Sequence, residues 1–218
     1  MSKLKRWLRD PYVRKRQIGM LVGVLLLSIA VSLFVMLDFG TDPNSSLSIG
    51  LAARLGIYYG VCQMLMNLIM IIFVLLFGRG FIGTGTICNM FLLGYIADGC
   101  TWILRRLVPA YDHLTLPARI GILIPTVVIF LLGAVLYMTA SAGVAPYDAI
   151  PMLLSARLPG IPFRFIRMAW DALFTVMSLW IGGPVGLMTV LVILTVGPVV
   201  SWLGRLIGRR LYGLPGVE

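Results

Sequence analysis

The sequence predicts an all-α membrane protein: six transmembrane helices arranged as a 3+3 inverted repeat, with two short interfacial or re-entrant half-helices. Three observations carry this expectation. Hydrophobic residues make up 60% of the 218-residue chain and charged residues 12%, at a mean hydropathy of +0.99. Soluble domains run at about 45–50% apolar and about 25% charged. Six apolar runs are each long enough to cross a hydrocarbon core of about 30 Å. The second half of the chain also repeats the first in a fixed register.

The first run, 18–37, follows Lys3, Lys5, Arg6, Arg9, Arg14, Lys15 and Arg16, a layout shared with signal peptides. It ends at Asp38-Phe39-Gly40 without a small-x-small cleavage pattern and exceeds the roughly 7–15 residues of a signal-peptide core, so it is expected to span the membrane. The later runs are 59–77, 81–104, 120–141, 162–181 and 184–204. No long polar stretch separates them, so no aqueous domain is expected between spans. Segments 40–56 and 143–160 each open with Gly-x-x-Pro and continue as an apolar stretch too short to cross, so each is either interfacial or re-entrant. Ser45 or Ser46 is the expected N-cap of the first, and Pro151 places the start of the second near Asp148 or Ala149. The organisation is therefore a basic N-terminal segment (1–17), a first repeat (18–107), a second repeat (108–205) and a C-terminal tail (206–218).

Eighteen Lys and Arg against eight Asp and Glu give a formal charge of +10. On this apolar chain the excess is a topology signal, and no nucleic-acid partner is expected. Alternate connectors place the seven N-terminal charges with Arg79, Arg157, Arg164, Arg167, Arg205, Arg209 and Arg210 on one side, and Arg54, Arg105, Arg106 and Arg119 on the other. Both termini are thus expected in the cytoplasm of a bacterial inner membrane. Leu4, Trp7 and Leu8, like Leu206, Ile207 and Leu211, sit among basic residues and suit a bilayer with anionic headgroups. Cys62, Cys88 and Cys100 lie in apolar stretches, and His113 is the sole histidine. No disulfide framework, metal site, cofactor or catalytic triad is expected from that inventory, and hence no enzyme.

The repeat is gapless at an offset of 103 residues. It pairs Gly40 with Gly143, Pro43 with Pro146, Arg54 with Arg157, Gly80 with Gly183, Gly83 with Gly186, Thr86 with Thr189 and Gly94 with Gly197. Matches of glycine, proline, arginine and threonine are informative where apolar matches are not. Each copy holds three crossings, so the second enters the membrane inverted, and inverted halves can expose a shared central site to alternate sides.

Polar residues inside spans need partners and mark functional paths or helix contacts. Gln63, Asn67, Asn89, Asp98 and Asp171 are the candidates, with Arg164, Arg167, Asp171, Thr175 and Ser178 forming one stripe at helical spacing. Asp171 either lines a path, binding a cationic group or carrying a proton, or forms a structural pair with Arg167. Asn67 lies at nearly the matching depth of the other copy, so the two are expected to meet near the symmetry centre. Asn89 and Asp98 are about 180° apart on a continuous helix and cannot face one cavity unless it breaks, with Gly94 a possible break point.

Gly143-Val144-Ala145-Pro146-Tyr147-Asp148, the Arg164 to Asp171 stretch, Ile181-Gly182-Gly183-Pro184-Val185-Gly186, and Thr189 with Gly197-Pro198 resemble the second half of the YczE/YyaS/YitT-type bacterial integral membrane proteins. Gly40 to Pro43, Gly60, Gly83 to Asn89, Gly94 and Asp98 resemble the first half. The resemblance spans roughly residues 18–205 and adds Tyr147 and Asp148 to the path candidates. Members often show Pro-Trp-Asp in the first segment, where this chain has Pro43-Asn44-Ser45. The acid that the family pattern places after that proline is therefore absent here.

The expected function is a small secondary transporter or exporter of an unidentified amphiphilic small molecule, with proton coupling at Asp171 as one option. Two rivals are a substrate-binding membrane subunit of an ATP-driven uptake complex, docking through Gly19, Gly23, Ser28 and Ser32, and a non-transporting scaffold or regulator. Homodimerisation is open to a chain of this size. The charge asymmetry predicts that a reporter active only outside the cytoplasm is silent when fused after Arg205 and active when inserted between Val108 and Leu114. The reverse pattern would overturn the orientation.

Overall fold

The structure, a computed structural model, describes residues 11–108 and 114–212. Among these residues the chain forms eight α-helices: α1 (Pro11–Leu37), α2 (Pro43–Leu55), α3 (Tyr59–Phe77), α4 (Thr84–Leu107), α5 (Leu116–Thr139), α6 (Pro146–Arg157), α7 (Phe163–Ile181) and α8 (Leu187–Tyr212), with a 3-10 turn at Arg79–Phe81. Five of them, α1, α3, α4, α5 and α8, are long and apolar enough to cross a bilayer. The sixth expected span, α7, has 19 residues but carries Arg164, Arg167 and Asp171. His113 and residues 1–10 and 213–218 lie outside the described residues.

Several boundaries differ from the sequence expectation. Helix α1 begins at Pro11, so Arg14, Lys15 and Arg16 are helical, and α8 continues through Leu206, Ile207 and Leu211 to Tyr212. Helix α2 starts before Ser45: Pro43 occupies the first turn and Asp42 is the N-cap, its Oδ2 accepting from Ser45 N at 3.0 Å. Helix α6 starts at Pro146, and Pro151 sits inside it. The residue four before Pro151 is Tyr147, within the first turn, so the missing N–H removes a single bond near the helix end. Helix α4 runs unbroken through Gly94. A Cβ on Gly94 would come 2.6 Å from Gly60 Cα, so this glycine permits close packing of α3 on α4.

The core is built on α1 and α5. Arg16 Nε donates to Ala140 O at 2.6 Å, Gly23 packs against Tyr137, Gly133 against Leu26 and Leu27, and the Phe34 and Phe130 rings lie 5.5 Å apart. These contacts climb one helix while descending the other, so the pair is antiparallel. Small residues allow the close approach where apolar lipid supplies no driving force of its own. The small-residue face of α1 is thereby occupied within the chain. Gly19 abuts Tyr212, Gly23 abuts α5, and Ser32 Oγ donates to Ala97 O of α4 at 3.1 Å. It offers no free docking surface for a partner subunit.

The segments that break the helices are bonded crosswise between the two sequence halves. Thr41 N donates to Pro184 O (3.1 Å) and Val144 N to Phe81 O (3.0 Å), while Met188 N donates to Phe39 O (2.9 Å) and Gly85 N to Ala142 O (2.8 Å). In each pair, both donor and acceptor are separated from their counterparts by 103 positions. The same holds for Arg54 Nη2 donating to Trp180 O (3.1 Å) and Arg157 Nη2 donating to Phe77 O (3.3 Å). Asp38 and Ser141 share positive φ (58° and 48°), as do Gly40 and Gly143 (85° and 96°).

At Gly143 the backbone conformation and the space both demand glycine. A Cβ there would face the Gly83 backbone and come 2.8 Å from Thr86 Oγ1. Gly143→Ala is expected to cost about 2 kcal/mol or more, from left-handed strain plus the displaced Gly83 backbone. Gly160→Ala, with nothing within 4 Å of the new methyl, is expected to stay within about 0.5 kcal/mol of wild type. Thermal denaturation of both variants in detergent checks this, and equal stability of the two would refute it.

Candidate functional site

Helices α2 and α6 are too short to cross a membrane, and their N-termini end at one cavity of about 60 Å³. All eight helices line it. Leu27 and Val31 of α1 face it with Phe130 and Ala134 of α5, and Asn89 and Leu93 of α4 with Val192 and Val196 of α8. Asp42, Asn44 and Ser45 line it from the α2 terminus, and Ala145, Tyr147 and Asp148 from the α6 terminus. Every one of these residues has its counterpart 103 positions away in the same wall. Gln63, Tyr137, Met138 and Arg167 complete the lining.

Position is shared across the wall, but chemistry is not. The first half supplies Asp42, Asn44, Gln63 and Asn89, where the second places Ala145 opposite Asp42, Tyr147 opposite Asn44 and Val192 opposite Asn89. Buried polar atoms normally have partners. Here Asp42 Oδ1, Asn44 Oδ1 and Gln63 Oε1 are buried and have none among the described residues. Asp42 Oδ2 caps α2, and the neighbouring Ser45 Oγ shares a 2.9 Å hydrogen bond with Tyr59 OH of α3.

The opposite wall is an ion cluster. Arg167, 6% exposed, bonds Asp148 Oδ1 through Nη1 (2.6 Å) and Asp171 Oδ2 through Nε (3.0 Å). Tyr147 OH donates to Asp171 Oδ1 at 2.5 Å. Tyr147 is wedged edge-on against Phe174 at 4.7 Å, beside Trp170, and the Arg167 guanidinium lies 5.1 Å from its ring centre. Thus α6 is fastened to α7 through one arginine and two carboxylates. Asp171 has both oxygens bonded, is 0% exposed and lies behind the cavity wall.

Of the sequence-nominated residues, Gln63, Asn89, Tyr147, Asp148 and Arg167 line the cavity, and Asp171, Asn67 and Asp98 do not. Asp98 Oδ2 accepts from Gly60 N at 2.8 Å at the start of α3. Neither Asn67 side-chain atom has a partner, so Asn67 and Asp171 do not bond one another. Arg164 is exposed and turned onto Phe165, off the buried stripe of Arg167, Asp171 and Ser178. Gly40, Pro43, Gly143 and Pro146 aim the half-helices, while Arg54 and Arg157 fasten their far ends to carbonyls at the ends of α7 and α3. Sequence reading missed Asp42, Asn44, Ser45 and Tyr137. Asp42 is the acid inside the first Gly-x-x-Pro motif, one residue before the proline, and that was the available signal.

Removing one member of a buried ion pair strands the other at a cost of about 3–5 kcal/mol. Arg167→Met leaves two carboxylates uncompensated and is expected to lose stability in that range. Asp171→Asn keeps the Tyr147 contact and the Arg167 to Asp148 pair, so it is expected to lose clearly less. Thermal melts in detergent read the difference, and a milder Arg167→Met would contradict the assignment.

A family model described as "Family of unknown function (DUF6198)" matches residues 14–205. The chain is 24% identical over 172 residues to the uncharacterized protein YyaS of Bacillus subtilis (strain 168), covering 79% of this chain and 84% of that one. It is 25% identical over 183 residues to the uncharacterized membrane protein YczE of the same organism, covering 80% and 79%. An uncharacterized protein of Haemophilus influenzae is 26% identical over 191 residues, covering 87% and 84%. No solved structure matches.

Proposed function

Because the chain belongs to the DUF6198 family of unknown function, whose relatives include a membrane protein, we propose that it is a small secondary transporter or exporter of the bacterial cytoplasmic membrane. The proposal includes six crossings in a 3+3 inverted repeat, both termini cytoplasmic, and a carrier rather than an enzyme. For α7 as the sixth crossing, the support is that Arg167 and Asp171 neutralise one another inside the protein, while Arg164 lies near the helix end where it can reach headgroups. For inversion, the support is the antiparallel α1 and α5 and the crosswise bonds repeating at 103 residues.

The observation that carries transport is the position of the cavity. It lies where all eight helices meet, walled by equivalent residues of both halves and faced by two half-helix N-termini. Secondary transporters place their sites at such repeat interfaces, where irregular backbone lines a cavity rather than lipid. At about 60 Å³ it is well below the roughly 300–1,000 Å³ of pockets for drug-sized ligands, so on this reading the cavity widens to pass one.

Liposomes containing the purified protein test the proposal against a panel of amphiphilic cations, drugs and vitamins. At least one compound is expected to move faster than in protein-free liposomes, and Asn89→Leu, which places an apolar side chain in the cavity wall, is expected to slow it roughly tenfold or more. Equal rates with and without inserted protein across the panel would sink transport.

A further inference from the structure

We infer that the cavity is a binding site for a small monovalent metal cation of Na+ size, held by Asp42 Oδ1, Asn44 Oδ1 and Gln63 Oε1; the inference deepens the transport reading by assigning this site its ion.

Three oxygens facing the cavity are unpartnered among the described residues. Asn44 is 7% exposed and Gln63 1%, and both line the cavity with Asp42. All three orphaned atoms are acceptors. A buried acceptor without a donor costs about 1–3 kcal/mol, so three around one cavity require an occupant. Water can donate to all three but leaves the buried Asp42 carboxylate without a countercharge, so the occupant that answers both the oxygens and the charge is a cation.

Donor counting and charge narrow the choice. A proton on Asp42 satisfies one amide oxygen at most and leaves the other to water, whereas a cation engages the carboxylate and both amide oxygens at once. An anion is opposed by the orphaned oxygens. The two helix N-termini that would otherwise attract one already carry acids, Asp42 as N-cap of α2 and Asp148 in the first turn of α6. Asp148 and Asp171 both bond Arg167, so Asp42 is the cavity-lining carboxylate with no ion-pair partner among the described residues. One carboxylate with neutral amide oxygens suits a monovalent ion, since divalent ions recruit more carboxylates or keep several waters. The volume admits a bare ion with a few waters, and the remaining coordination falls to those waters.

The test is thermal stability of the full-length protein in detergent as NaCl replaces choline chloride at constant ionic strength, with direct equilibrium binding of radioactive Na+. A saturable rise in Tm of roughly 3–6 °C is expected, with one ion bound per chain. Asp42→Asn, nearly isosteric, is expected to abolish both. Gln63→Leu provides an independent variant should Asp42→Asn fail to fold. Identical melts in NaCl and choline chloride with no bound Na+ would overturn the inference. So would a shift produced by methylammonium or Ca2+ but not by Na+, or binding that survives in both variants. Sodium binding without flux in liposomes would sustain the ion site while removing the transporter reading. Flux indifferent to Na+, by a protein that binds none, would do the reverse.

Discussion

A polypeptide that breaks its helices in a buried segment must satisfy the freed backbone groups from within, because no water reaches them. This chain breaks at Phe39 to Thr41 and again at Ala142 to Val144, and each break is bonded by the segment that opens the last helix of the other half. Those bonds need backbones nearly in contact. That is why glycine stands at 40, 83, 143 and 186, with Thr86 and Thr189 accepting from the N–H of Gly83 and Gly186 at 3.0 and 3.1 Å. The half-helices are aimed by this junction, and the cavity is what lies between their ends.

The charged groups divide into two roles that composition alone does not separate. Arg167 with Asp148 and Asp171 is compensated and buried, and it fastens α6 to α7. Breaking even costs a good deal in such clusters, since desolvation nearly cancels attraction, and the specificity of one packing arrangement is what they can secure. Asp42 has one oxygen used as a helix cap and one facing the cavity. Depth in the sequence pattern points to Asp171, whereas unspent hydrogen-bonding capacity points to Asp42.

Helix identity and the register of the repeat were legible because the apolar runs are long and glycine, proline and arginine recur at fixed spacing. The opposed faces of Asn89 and Asp98 also followed from helical geometry, and α4 is unbroken between them. Half-helix starts were less legible. Pro151 looks like a barrier until the first turn is seen to begin at Pro146, and Asp42 caps through a hydrogen bond that a proline-centred motif does not announce. The cavity residues were split along the same line. Gln63 and Asn89 stand out as polar residues in apolar spans, but Asn44, Ser45 and Tyr137 acquire meaning only when helices distant in sequence converge.

The two arginine clamps have a mechanical consequence. Arg54 ties the end of α2 to the end of α7, and Arg157 ties the end of α6 to the end of α3, so each short helix is anchored to the sequence half it does not belong to. Any displacement that preserves these bonds carries α2 together with α7 and α6 together with α3. Because Arg167 with Asp148 joins α7 to α6, and Ser45 with Tyr59 joins α2 to α3, the four helices are held in one closed ring of ties. Moving either short helix relative to its neighbours therefore means opening at least one of these side-chain ties.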